Sequence, residues 1–118
     1  MTLLAVMLGG ALGSAGRYGL SVWLNPTQGP SMPWGTVVAN VLGCLAIGWL
    51  SASLSHASEA VRMGILVGVL GGFTTFSSFG LESMRLFQAG QISQGLIYVT
   101  LSNLGGLAGV WIGLKFSA

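Results

Sequence analysis

Gly71-Gly72-Phe73-Thr74-Thr75-Phe76-Ser77-Ser78-Phe79-Gly80 is the stretch on which the fold turns, because it stands in the middle of an otherwise apolar segment. Two adjacent glycines each weaken a helix by about 1 kcal/mol relative to alanine. Two successive threonines add β-branched crowding. The stretch therefore predicts an interruption in a helix. Inside a bilayer, unwound backbone is tolerated only where protein, water or an ion satisfies it, and interrupted membrane helices are recurrent ion sites. The same residues also read as a continuous glycine-rich helix whose hydroxyls bond back to their own carbonyls. Phe76 and Phe79, three apart, are expected on one helical face. Aromatic edges are electropositive, so two such edges could accept an anion without a full positive charge; the rings could equally pack in a core or against lipid.

Working outward, the flanking sequence is that of a membrane protein. Of its 118 residues, 53% are hydrophobic and only 5% charged. The charged side chains are Arg17, Glu59, Arg62, Glu82, Arg85 and Lys115. A soluble domain carries about a quarter of its residues as charges, so this surface must face lipid. The formal charge of +2 is scattered, which argues against nucleic-acid binding. Spans of about 20 apolar residues are expected at about residues 3–24, 33–54, 62–87 and 92–116, forming one transmembrane domain over 1–118. The first reads as a retained span, since no basic region precedes it. Asn25-Pro26-Thr27-Gln28-Gly29-Pro30 reads as a turn, Pro33 suits a first helical turn, and Ser58 is a candidate cap.

Such short linkers put any function inside the bilayer, and four helices are few to enclose a polar path, so a second copy of the chain is an expected partner. Small residues at four-residue spacing, Gly9 and Gly13, then Gly105, Gly109 and Gly113, predict close helix packing within or between subunits. The N-terminus, Arg62 and Lys115 fall on one side and Arg85 on the other. That weak bias is compatible with one orientation or with both.

The remaining polar residues are the candidates for chemistry. Asn40 is a lone amide deep in the second span and needs a partner. Arg17, inside the first span, must snorkel, pair or face water, since a charge there costs about 3 kcal/mol or more. Thr75 and Ser78 follow the expected break, and Tyr98 and Ser102 stand four apart on the last helix, so hydroxyls could form a polar track. Glu82 is awkward beside an anion path; it could be protonated, or structural with Arg85. His56, the only histidine, sits in a polar linker and builds neither a metal cluster nor a catalytic dyad. Cys44 reads as a packing residue, and Trp23, Trp34, Trp49 and Trp111 as an interfacial belt.

The third-span stretch resembles the signature of the Fluc (CrcB) fluoride channels. Gly9-Gly10-Ala11-Leu12-Gly13-Ser14-Ala15-Gly16-Arg17-Tyr18 is similar to that family's first-helix motif, and Gly35-Thr36-Val37-Val38-Ala39-Asn40-Val41-Leu42-Gly43 to its second. Tyr98 and Ser102 match the fourth more loosely. The resemblance implies an all-α dual-topology homodimer of four-helix subunits in the cell inner (plasma) membrane, with the third helix broken and two antiparallel pores. It implies a fluoride path along Phe76, Phe79, Asn40, Thr75, Ser78, Tyr98 and Ser102, and Arg17 near an aqueous vestibule. It also implies a structural sodium ion held by the backbone carbonyls of Gly71 and Thr74 from each subunit. Where the family often continues the track with a hydroxyl, this chain has Gly106, and Ser78 stands where threonine is commoner.

The implied activity is passive export of toxic cytoplasmic fluoride. A small proton-coupled multidrug exporter is the competing reading, but it wants an acid in the first span, where this chain has Arg17. A structural subunit of a larger membrane complex would need the glycines but not the central motif. No nucleophile, metal-ligand or phosphate-loop pattern suggests an enzyme.

Overall fold

A computed structural model describes residues 1–117. Six α-helical segments make four membrane spans: α1 (Thr2–Leu24), α2 (Trp34–Ser53), α3 (Glu59–Met63), α4 (Leu70–Phe73), α5 (Ser77–Gln88) and α6 (Ile92–Lys115). No strand occurs among the described residues. The third span comprises α3, a π-helical stretch Gly64–Val69, α4, a non-helical link at 74–76, and α5. As one helix its 30 residues would reach about 45 Å, against a hydrocarbon thickness of about 30 Å; the interruption divides that length into two half-helices.

The ends follow local chemistry. The third span begins at Glu59 rather than near 62, because the Ser58 hydroxyl accepts the Val61 N–H at 3.3 Å, as an N-cap does. Pro33 stands one position before α2, at its N-cap. Asn25 ends α1 in extended conformation and its Oδ1 accepts the Gly35 N–H at 2.6 Å, so one side chain joins the end of α1 to the start of α2. At the end of α5, the Gln91 N–H reaches Leu86 O and the Gly90 N–H reaches Phe87 O. Gly90 has φ +80°, the left-handed conformation that closes this double-bonded stop and that glycine adopts without a Cβ penalty.

The glycines decide how closely the helices meet. α1 lies along the first half of the third span: a Cβ on Gly9 would strike Gly64 O, one on Gly13 would strike Val69 O, and one on Gly68 would lie 2.7 Å from Val6 O. The contacts of Gly9 and Gly13 are therefore internal to one chain. α2 lies along α6 in the same way, with Gly48 against Val110 O and Gly113 against Leu45 O. The four-residue row expected from Gly105 is corrected by one position. The buried face of α6 carries Ser102, Gly106, Gly109 and Gly113, while Gly105 is half-exposed. A helix turning 3.6 residues at a time drifts off a strict four-residue repeat.

Little apolar surface is hidden within the chain. The buried apolar cluster is Met32, Val37, Leu86 and Tyr98, with Val41 and Phe79 packed on it. The accessible surface is 7033 Å², where a soluble monomer of this mass exposes about 6,000 Å². No span has more than 33% of its apolar window buried. The chain is thus a multi-pass membrane protein whose outer face is apolar.

Candidate functional site

The helix leaves its course after the glycines rather than at them. Thr74 is extended (φ −90°, ψ 159°), and Phe76 (φ −105°, ψ −37°) precedes α5. Gly71 and Gly72 are still helical. Gly72 serves packing, since a Cβ there would sit 2.7 Å from Gly10 O of α1.

Interrupting a helix frees main-chain groups that must find other partners. Asn40 on α2 answers two of them: its Oδ1 accepts the Thr75 N–H at 2.8 Å, and its Nδ2 donates to Thr75 O at 3.0 Å. Arg17 on α1 answers a third, with Nε donating to Gly72 O at 3.2 Å. The guanidinium thereby lies at the C-terminal, partially negative end of α4. The Thr75 hydroxyl accepts the Ser78 N–H at 3.2 Å and caps α5. The Thr74 hydroxyl bonds back to Leu70 O at 2.9 Å. The carbonyls of Gly71 and Thr74, and the N–H groups of Phe76 and Ser77, accept or donate no hydrogen bond among the described residues. The interruption thus offers free acceptors on one half-helix and free donors on the other.

Gly71, Thr74 and Phe76, which carry three of these free groups, border an open groove of about 520 Å³ on the flank of the chain. It gathers Asn40, Gly71, Thr74, Thr75, Phe76, Phe79 and Ser102. Phe76 is 81% exposed, turned out of the subunit, and it precedes α5 instead of sharing a helical face with Phe79. The two rings are still neighbours, with centroids 5.8 Å apart and planes tilted by 42°. The Ser102 hydroxyl is buried without a hydrogen-bond partner among the described residues. One turn on, a Cβ on Gly106 would lie 3.3 Å from the Cys44 sulfur, so Cys44 crowds the place of the hydroxyl absent from this chain.

Arg17, Ser78, Glu82 and Tyr98 stand outside this groove. Tyr98 continues the aromatic row, its ring 5.2 Å from that of Phe79, and its hydroxyl donates to Glu82 Oε1 at 3.0 Å. Thr36 donates to the same carboxylate, at 2.9 Å to Oε1 and 3.3 Å to Oε2. Glu82 is thus held by two hydroxyls rather than by Arg85, and it borders a smaller pocket of about 160 Å³ beneath the α1–α2 linker. Sequence reasoning gave Thr36 no role. The available signal was its spacing: Thr36 and Asn40 are four apart, hence on one face of α2.

The Glu82 arrangement carries a direct test. Tyr98 is fully buried, and removing its hydroxyl leaves the half-buried Glu82 carboxyl group with one hydrogen-bond partner fewer, a cost of about 1–3 kcal/mol. Tyr98→Phe is expected to lower the thermal unfolding midpoint in detergent. An unchanged midpoint would mean that the bond contributes nothing.

The comparisons with known proteins agree on one family. The model described as "CrcB-like protein, Camphor Resistance (CrcB)" matches residues 4–114. A protein of Paracoccus denitrificans named fluoride-specific ion channel FluC is 47% identical over 114 residues, covering 96% of this chain and 91% of that protein. Proteins of the same name from Chloroflexus aurantiacus and Salinibacter ruber are each 44% identical over 115 residues. Those alignments cover 95% and 96% of this chain, and 91% and 86% of the relatives. With four apolar spans, an interrupted third helix and a match over nearly its whole length, the chain belongs to the CrcB-like family.

Proposed function

We propose that this chain is the subunit of a fluoride channel that lets the ion leave the cytoplasm passively. The observation that carries the reading is the interruption at 74–76, with unpaired main-chain groups beside an outward-turned phenylalanine in a groove open on one side. A half-open, largely apolar groove that leaves main-chain polar groups unpaired at membrane depth needs a second wall. A second copy of the chain, inserted in the opposite orientation, supplies that wall and yields two antiparallel pathways. The names of the relatives supply the ion.

Fluoride holds its water tightly, so a pathway must replace that water with close donors. The ring edges of Phe76 and Phe79 offer weak positive charge. The free N–H groups at the start of α5 stand at the partially positive end of a half-helix. The Asn40 amide keeps one proton beyond that given to Thr75, and Ser102 has an uncommitted hydroxyl. Thr75, Ser78 and Tyr98 extend the hydroxyl row, and Arg17 raises the local anion concentration at the entrance. A potential negative inside favours anion exit by about 2.3 kcal/mol per 100 mV.

The free carbonyls of Gly71 and Thr74 fit a sodium ion shared between two subunits. Hard cations take oxygen ligands, and a Cβ on Gly71 would meet nothing within 4 Å, so that face is open to a partner. Bound there, sodium would supply positive charge near the anion route and tie the two interruptions together.

Purified protein in fluoride-loaded vesicles is expected to release fluoride rapidly and chloride hardly at all. Equal release of both anions, or of neither, defeats the reading.

A further inference from the structure

Thr75 is gripped at both ends of its own backbone by one side chain. In an unbroken helix its N–H would reach Gly71 O and its carbonyl would accept the Phe79 N–H. Here Asn40 Oδ1 takes the N–H at 2.8 Å and Asn40 Nδ2 serves the carbonyl at 3.0 Å, across 35 positions of sequence. A carboxamide is the side chain that carries one acceptor and one donor disposed as in a peptide group. The substitution leaves Gly71 O free. α2 comes close enough because position 43 is glycine, where a Cβ would strike Thr74 Cγ2.

We infer that Asn40 is a positioning residue: it takes the place of the missing helical turn, holds Thr75 off the helical ladder beside the extended Thr74, and thereby sets the direction of the Phe76 ring and of the Gly71 and Thr74 carbonyls. The functional consequence rests on the fluoride-channel reading; the geometry does not. The interruption is then built within one subunit, before any partner or ion joins it.

The test is hydrogen–deuterium exchange at the Thr75 amide in the assembled protein, followed alongside fluoride efflux. Asn40→Ala removes both hydrogen bonds, including the one that protects the Thr75 N–H, and is expected to speed exchange at Thr75 by about tenfold or more, with α6 amides unchanged, and to slow fluoride release. Asn40→Asp is expected to restore protection, because a carboxyl group still offers Thr75 an acceptor. Asn40→Gln, one methylene longer and out of register, should behave as the alanine variant does and serves if that variant fails to fold. Replacing sodium by a large organic cation should leave Thr75 protected. Slow efflux with unchanged Thr75 exchange in Asn40→Ala, or loss of protection on sodium removal alone, would overturn the inference. Failure of the unaltered protein to conduct fluoride would sink the channel reading and leave the exchange result standing.

Discussion

Phe76→Ile protein, in vesicles loaded with fluoride, is expected to release the ion at least roughly tenfold more slowly than the unaltered protein while remaining the same size in solution. Taking the scale of cation–π contacts, about 2 kcal/mol when desolvated, for an anion at the opposite, electropositive edge of the same quadrupole, and about tenfold in rate for each 1.36 kcal/mol on a barrier, the loss of one ring edge accounts for that factor. Isoleucine keeps the apolar character but has no electropositive edge. The subunit itself should tolerate the change, because Phe76 is 81% exposed and its loss empties no internal space. Phe79 differs, being packed on the Tyr98 ring at 5.2 Å, so its replacement also disturbs the buried cluster. Undiminished efflux from Phe76→Ile would remove the ring from the pathway.

Gly13→Ala is expected to cost about 3 kcal/mol or more, at the upper end of what overpacking does in a core. The added methyl would strike the Val69 carbonyl and lie 2.8 Å from Phe73 N. Both are main-chain atoms of the third span, so no side chain can swing aside, and α1 must move away from the half-helix that leads into the interruption. That movement also draws Arg17 from Gly72 O. Gly19→Ala, on the same helix, is the control: a Cβ there meets nothing within 4 Å, and helix propensity alone favours it by about 1 kcal/mol. The thermal midpoint of the protein in detergent should fall steeply for the first variant and hold or rise for the second. Equal midpoints would mean that the close crossing of α1 and the third span is not required.

The spans were legible because apolar length is a one-dimensional property, and their bounds moved by no more than three residues. The interruption was legible as a tendency of residues 71–80, but not its place. Gly71 and Gly72 are still helical, and the chain departs only where Asn40 can receive the Thr75 backbone. Glu82 looked misplaced beside an anion route for a related reason. Its partners Thr36 and Tyr98 lie 46 and 16 positions away, on two other helices. Gly106 looked like a missing rung, and the crowding by Cys44 that accompanies it is a contact between α2 and α6.

The sequence alone therefore determined a chain of four apolar spans, a third one predisposed to interrupt, and motifs that resemble one family along its whole length. Those properties follow from composition and from neighbours within a turn or two. Only the tertiary structure decided which groups meet the freed backbone: Asn40 for Thr75, Arg17 for Gly72, and no partner among the described residues for the Gly71 and Thr74 carbonyls. Such pairings depend on how helices far apart in sequence cross. Here glycine placement lets main chains approach to a distance that hydropathy does not encode.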